Sequence, residues 1–198
     1  MPLTLQPVTL RGTHATLVPL SPDHVHTLSD AARDGELWRL WYTSVPAPED
    51  MAREIDRRLS LFSVGSMLPF TVLDSTGTPV GMTTFMNVDP LNHRVEIGST
   101  WYAARVQRTA LNTECKLLLL THAFDDLQCI AVELRTHILN AQSRRAIERI
   151  GAKQDGILRN HMRMPNGTLR DTVVYSIIAG EWPTVKAHLD YQLNDKPR

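Results

Sequence analysis

The chain predicts a mixed α/β fold, a largely antiparallel sheet covered by helices. Strands come first as a hairpin run between residues 70 and 101, and afterwards alternate with helical segments, the order expected of a mixed sheet. No internal repeat, low-complexity tract or long linker interrupts this order. With 198 residues the chain is within the size of one domain, so residues 1–198 are expected to form a single unit.

Residues 3–20 alternate loosely, and Ala15 to Leu20 is the best strand among them. Ser21-Pro22-Asp23 supplies an N-cap followed by proline at the first helical position, which predicts a helix to about Arg33. The aromatic segment Leu37 to Tyr42 is closed off by Pro46 and Pro48. Glu49 and Asp50 then open an amphipathic helix to about Phe62, with Met51, Ile55, Leu59 and Phe62 at helical spacing. Phe70–Asp74 and Val80–Met86 flank a Ser-Thr-Gly-Thr-Pro turn as a hairpin, and alternation over 94–101 extends it to a meander. Helix 109–124, strand 129–137 and a helix after Asn140 follow. Gly156–Arg159 and Thr172–Ile178 read as two strands joined around Asn166-Gly167, and Trp182 to Leu193 as a closing helix.

Composition excludes several functions. The 21 basic and 21 acidic side chains cancel, which argues against nucleic acid as an obligatory partner, because that binding is dominated by phosphate neutralisation. Cys115 and Cys129 lack a Cys-x-x-Cys spacing and read as small buried thiols of a reducing compartment. Residues 1–7 carry no basic stretch followed by an apolar run, and the densest apolar stretch, Leu117 to Leu120, is far too short to span a bilayer. A soluble cytoplasmic protein with no membrane partner is expected. His24 and His26 have no third ligand nearby and read as solvated surface histidines, so no metal site is expected.

The most informative segment is Gln107-Arg108-Thr109-Ala110-Leu111-Asn112-Thr113, between a strand and an apolar helical stretch bearing Leu111, Cys115, Leu118, Leu119 and His122 on one face. A loop feeding a helix leaves N–H groups without intrahelical partners at the positive end of the macrodipole, an arrangement suited to a phosphate. Arg105 and Arg108 add charge. The same residues also fit a helix start that merely caps itself.

The order of a strand with Glu96, this loop, a helix, strand 129–137 and then Asn140-x-x-Ser143 through Gly151-Ala152 resembles the GCN5-related N-acetyltransferase (GNAT) superfamily. Within it, the chain is similar to the RimJ/RimL-like ribosomal-protein N-terminal acetyltransferase branch. Residues 107–112 lie on that family's pyrophosphate loop, with Ala110 and Asn112 in place of glycines; glycine lets a backbone approach phosphate without a β-carbon in the way. Trp41-Tyr42, Gly98 to Trp101, Gly156 to Arg159 and Glu181-Trp182-Pro183 also look like this branch, so the resemblance covers nearly the whole chain.

The resemblance implies a strongly twisted, largely antiparallel sheet of six to seven strands, flanked by helices and splayed at a central parallel pair. It further implies an acyltransferase that moves an acetyl group from acetyl-CoA to a primary amine, a protein N-terminus or a small molecule, through a ternary complex. Coenzyme A is expected on Gln107, Arg108, Thr109, Ala110, Leu111, Asn112 and Thr113. Its pantetheine arm is expected against backbone groups of Thr100, Trp101 and Tyr102 and against Asn140 and Ser143. Such transfer needs a neutral amine, stabilisation of an oxyanion and a proton for the thiolate.

Glu96 is the candidate general base, against the reading of an exposed carboxylate paired with Arg94 or Arg135. Many relatives carry a tyrosine four residues after the helix serine. Here that position is Ile147, which leaves Ser143 as the candidate acid or as a simple helix cap. Trp38, Trp41 and Tyr42 are candidates for the acceptor wall or for packing beneath a loop. Arg159, His161 and Arg170 either face an acidic acceptor or form a solvated hairpin. A homodimer is compatible with the branch. The missing glycines and tyrosine keep open a second class, a weakly active or inactive acyl-CoA-binding or sensing module.

Overall fold

In a computed structural model, which describes residues 3–195, the chain forms an eight-stranded sheet of order β1-β2-β3-β4-β5-β6-β8-β7 with five α-helices. Met1 and Pro2 of the N-terminal segment lie outside the described residues. The strands are β1 (Leu10–Arg11), β2 (Ala15–Pro19), β3 (Met67–Asp74), β4 (Pro79–Asp89), β5 (Arg94–Tyr102), β6 (Ala131–His137), β7 (Lys153–Arg163) and β8 (Leu169–Ile178). Every neighbouring pair is antiparallel except β5–β6. The sequence accounts for seven of these strands; the eighth is the two-residue β1, whose pairing with Thr16 and Leu17 is too short to leave a periodic signal.

The helices are α1 (Val25–Arg33), α2 (Met51–Ser63), α3 (Leu111–Thr121), α4 (Ala141–Arg149) and α5 (Trp182–Asn194). Ser21 does cap the 3-10 turn Pro22–His24 that leads into α1, accepting from the Asp23 N–H. The His24 ring receives the Ser21 N–H in return and bonds Thr71 Oγ1 at 2.8 Å, so His24 is a structural link and not the solvated residue expected; His26 is exposed. Helix α3 is shorter than residues 109–124. Thr109 Oγ1 bonds the Val106 carbonyl and holds the entry outside the helix. At the other end the Leu127 N–H reaches the His122 carbonyl, which widens His122–Asp126 into a π turn.

Alternation along the central strands decides which helices cover which face. Thr84 and Glu96 point to the side of α2, where the Arg58 guanidinium reaches the Thr84 hydroxyl at 2.8 Å. Phe85, Val95 and Ile97 point to the other side, where the His122 ring stands 6.1 Å from that of Phe85. Cys115 and Cys129 are free and buried in the apolar core. Among the described residues no helix is long and apolar enough to cross a membrane, and no group of three or more His, Cys, Asp or Glu could hold a metal ion.

Candidate active site

The site lies where β5 and β6 part. Their parallel pairing is limited to Arg94, Val95 and Glu96 against Ala131, Val132 and Glu133. Beyond it β5 carries a bulge: Thr84 opposes Gly98 and Met82 opposes Trp101, which leaves Ser99 and Thr100 against Thr83. Ser99 takes a left-handed φ of 48°, uncommon for a residue with a β-carbon, and the surroundings hold it there. Arg58, 1% exposed, donates to the Ser99 carbonyl at 3.2 Å while its Nε bonds Glu54 at 2.7 Å. Past the bulge the strands come close enough that a β-carbon on Gly81 would meet the Trp101 carbonyl at 2.1 Å, so that position requires glycine.

Residues 107–113 run along the mouth of this split. Gln107 donates from its side chain to the Tyr102 carbonyl at 3.0 Å, tying the loop to β5 and occupying one of the backbone groups expected to meet the pantetheine arm. Arg108 is exposed with φ 61°, and Thr109 is exposed. Ala110, the N-cap of α3, sits at φ −64° and ψ −22°, and Asn112 is already helical; neither position needs the backbone freedom of glycine. Leu111 N–H has only a long contact of 3.3 Å to Thr109 Oγ1, and among the described residues the N–H groups of Asn112 and Thr113 have no acceptor. These are the open donors of a helix start, at the positive end of α3. Leu111 and Thr113 are buried; the Thr113 hydroxyl receives Arg149 at 3.1 Å, so its side chain braces the loop while its N–H stays open.

Helix α4 closes the other side. Asn140 is its N-cap, accepting the Ser143 N–H on Oδ1 at 3.0 Å. Ser143 is therefore not the cap. Its hydroxyl is half-buried and makes no hydrogen bond among the described residues. Gly151, just past the helix, has φ +94°, the left-handed stop that the Gly-Ala pair provides. Ile147 is buried in the core. The Tyr175 hydroxyl on β8 lies beneath α4, donating to Glu148 at 2.9 Å and accepting from Arg144 at 3.0 Å.

Glu96 is 6% exposed, which removes the exposed-carboxylate reading. Its Oε2 accepts from Asn87 Nδ2 at 2.7 Å and lies 3.3 Å from Arg135 Nε, whereas Arg94 pairs with Glu133. Burial raises the Glu96 pKa above the usual carboxylate value. Asn87, Arg135 and Arg170 act against the rise, and the neighbouring Glu133 adds to it. A buried carboxylate with a raised pKa is a stronger base than a surface one, and Gly98 keeps space beside it: a β-carbon there would meet Glu96 Oε1 at 3.0 Å.

The remaining candidates separate. Trp41 and Tyr42 stand against His137 with ring centroids at 5.3 and 6.2 Å, on the Glu96 face of β6. Trp38 does not join them; the Arg39 guanidinium stacks 5.0 Å over its ring. Arg159 is exposed and engaged with Asp171, so it turns away, while His161 and Arg170 both bond Thr172 and Arg170 faces Glu96. Sequence reasoning missed Arg58 and His137. Each left a signal: Arg58 sits on the apolar stripe of α2 between Ile55 and Phe62, and His137 extends the one-face series Glu133, Arg135.

Residues 14–153 match the acetyltransferase (GNAT) domain family. YdaF of Bacillus subtilis (strain 168), named as a ribosomal N-acetyltransferase, is 28% identical over 176 residues, 85% of this chain and 93% of its own. A GCN5-related N-acetyltransferase from Brucella melitensis superposes with a TM-score of 0.87 at 28% identity, covering 98% of this chain and 89% of that one. Mycobacterium smegmatis RimJ, solved with CoA-disulfide, shares the fold at a TM-score of 0.78 and 20% identity over 94% of this chain and 93% of its own. The splayed parallel pair, the open helix start beside it and these matches agree, and the chain belongs to the acetyltransferase (GNAT) domain family.

Proposed function

We propose that the chain, as one domain over residues 1–198, transfers the acetyl group of acetyl-CoA to the α-amine of a peptide or protein N-terminus in the cytoplasm. The observation that carries this is the pairing of open N–H donors at Asn112 and Thr113 with a buried, raised-pKa Glu96 across one splayed strand pair. The name of YdaF and the RimJ/RimL-like neighbours favour a ribosomal-protein acceptor. Acetyl-CoA supplies an activated thioester carbonyl. Residues 107–113 bind the pyrophosphate through backbone N–H groups, aided by Arg108. Thr100, Trp101, Asn140 and Ser143 line the pantetheine path.

Glu96 takes the proton of the acceptor amine as the N–C bond forms, directly or through water, and passes it to solvent. Ser143, whose hydroxyl has no other partner, donates to the sulfur as the C–S bond breaks and recovers its proton from water. An α-amine has a pKa of about 7.7–8.0 against about 10.4 for lysine, so a single carboxylate is a sufficient base for it near neutral pH.

The alternative, an inactive acyl-CoA-binding module, draws on the missing glycines and tyrosine. The right-handed backbone at Ala110 weakens it, since no left-handed glycine is required there. Thiol release from acetyl-CoA, screened against small amines and N-terminal peptides, tests the proposal. Turnover with peptides supports it; CoA binding without turnover on any amine refutes it.

A further inference from the structure

His137 ends β6, and its side chain stands on the Glu96 face, 3% exposed. Its Nδ1 accepts the Leu139 N–H at 3.0 Å, so the neutral ring carries its proton on Nε2. Burial, aided by Arg170 and opposed by Asp171, lowers the pKa of this histidine, which keeps the ring neutral. Nε2 is nevertheless buried without a hydrogen-bond partner among the described residues. A buried N–H donor without an acceptor is costly and calls for an explanation.

Its surroundings point to a ligand. His137 lies two residues beyond Arg135, about 6.6 Å along the strand, and Arg135 touches Glu96. Three residues later Asn140 begins α4, which carries Ser143. His137 thus stands on the Glu96 face of the stretch of β6 that no longer pairs with β5, four residues beyond Glu133, the register partner of Glu96.

Trp41 and Tyr42 cover the ring, Trp41 itself being 46% exposed. Neither of their side chains makes a hydrogen bond among the described residues, whereas Thr43 anchors the segment behind them to the Leu37 and Leu40 carbonyls. The two rings can therefore swing aside without breaking a polar contact.

We propose that His137 Nε2–H is a substrate-binding donor to the first carbonyl oxygen of a peptide N-terminus, under a movable cover formed by Trp41 and Tyr42. A peptide carries that carbonyl on the same Cα as its α-amine, whereas a simple alkylamine has none. His137 thereby selects peptide N-termini over other primary amines. This rests on the peptide-acceptor function proposed above.

Two substitutions separate donor from scaffold. His137→Asn keeps an acceptor for the Leu139 N–H but is too short to place a donor at Nε2. His137→Gln keeps the donor and gives up the acceptor. Each protein is assayed with acetyl-CoA on a tetrapeptide and on the same tetrapeptide with its first carbonyl reduced to methylene. The peptide-to-analogue ratio of kcat/KM in the variant, divided by that of the wild type, cancels the different basicity of the two amines. His137→Asn should lower this ratio about tenfold, the loss of one hydrogen bond, with CoA affinity and Tm retained, and His137→Gln should keep it. An unchanged ratio in His137→Asn, or an equal fall on both acceptors, overturns the assignment. A wild-type protein that acetylates neither acceptor refutes the peptide-acceptor function itself, and that failure is visible before any variant is made.

Discussion

The loop at residues 107–113 and the face around Glu96, which we propose meets the acceptor, flank the same split in the sheet, yet they are built from different material. The loop offers backbone N–H groups contributed by consecutive residues and leaves those of Asn112 and Thr113 open. The Glu96 face is made of side chains from the α1–α2 connection, β4, β5, β6, β7 and β8, and most of its polar atoms already have partners: Glu96 with Asn87 and Arg135, Arg170 and His161 with Thr172. A backbone site tolerates a small side chain, and the right-handed backbone at Ala110 holds a methyl group without strain. A side-chain site depends on each member, and substitutions there should act on chemistry or on stability while leaving the loop intact.

Glu96→Gln should show this asymmetry most strongly, lowering turnover on the order of 10²- to 10⁴-fold with CoA affinity unchanged. The loss should be greatest at low pH and shrink as the acceptor amine deprotonates unaided. The folded-state pKa of Glu96 is raised, so stability due to this group is present below its unfolded pKa and is lost as pH rises through the folded value. The Gln variant should therefore lose less stability between those two pKa values than the wild type does. Denaturation midpoints and pH–rate profiles measured on one preparation check both, and full activity across the pH range would return Glu96 to a structural role.

Arg58→Met should cost about 3–5 kcal/mol, because it leaves the Ser99 carbonyl and Thr84 hydroxyl without their buried cation and removes one of the two arginines on Glu54. Urea unfolding reads the loss, and a variant as stable as wild type would show that the bulge holds itself. On the loop side, Ala110→Val should weaken CoA by about tenfold, or about 1.4 kcal/mol, by crowding the phosphate, with little change in Tm. Equal affinity in a titration would place the pyrophosphate on other residues.

The smallest contrast lies within α4. Asn140→Ala removes the cap and should cost about 1 kcal/mol of stability. Ser143→Ala touches no cap and should leave Tm unchanged while lowering turnover at saturating substrate, as expected of a bond that strengthens on the departing sulfur. A fully active Ser143→Ala variant would assign the proton to water.

The same difference of material explains what the sequence disclosed. The helix start after residues 107–113 and the Asn140 to Gly151 segment are local, each set by residues within a few positions of one another, and they were readable as segments; the cap itself falls on Asn140 and not on Ser143, the residue the sequence offered for it. The order of strands was readable for the same reason, apart from the two-residue β1. Arg58 and His137 were not recognised, because their roles arise from partners 26 to 41 residues away in Thr84 and Ser99, or from Trp41 and Tyr42 in the distant α1–α2 connection. Arg159, His161 and Arg170 do not behave as one group: Arg159 turns outward to Asp171, while His161 and Arg170 bond Thr172 and Arg170 faces Glu96. Side-chain direction after a register shift, such as that between Leu158 and Met162 in β7, cannot be read from alternation alone.

The most direct test of the account is a crystal structure of the protein with coenzyme A. The pyrophosphate oxygens should lie about 2.7–3.2 Å from the N–H groups of Asn112 and Thr113, with the pantetheine arm between β5 and β6 and the sulfur facing Ser143. A pyrophosphate bound away from residues 107–113, or an arm that avoids the split beyond Glu96, would contradict it.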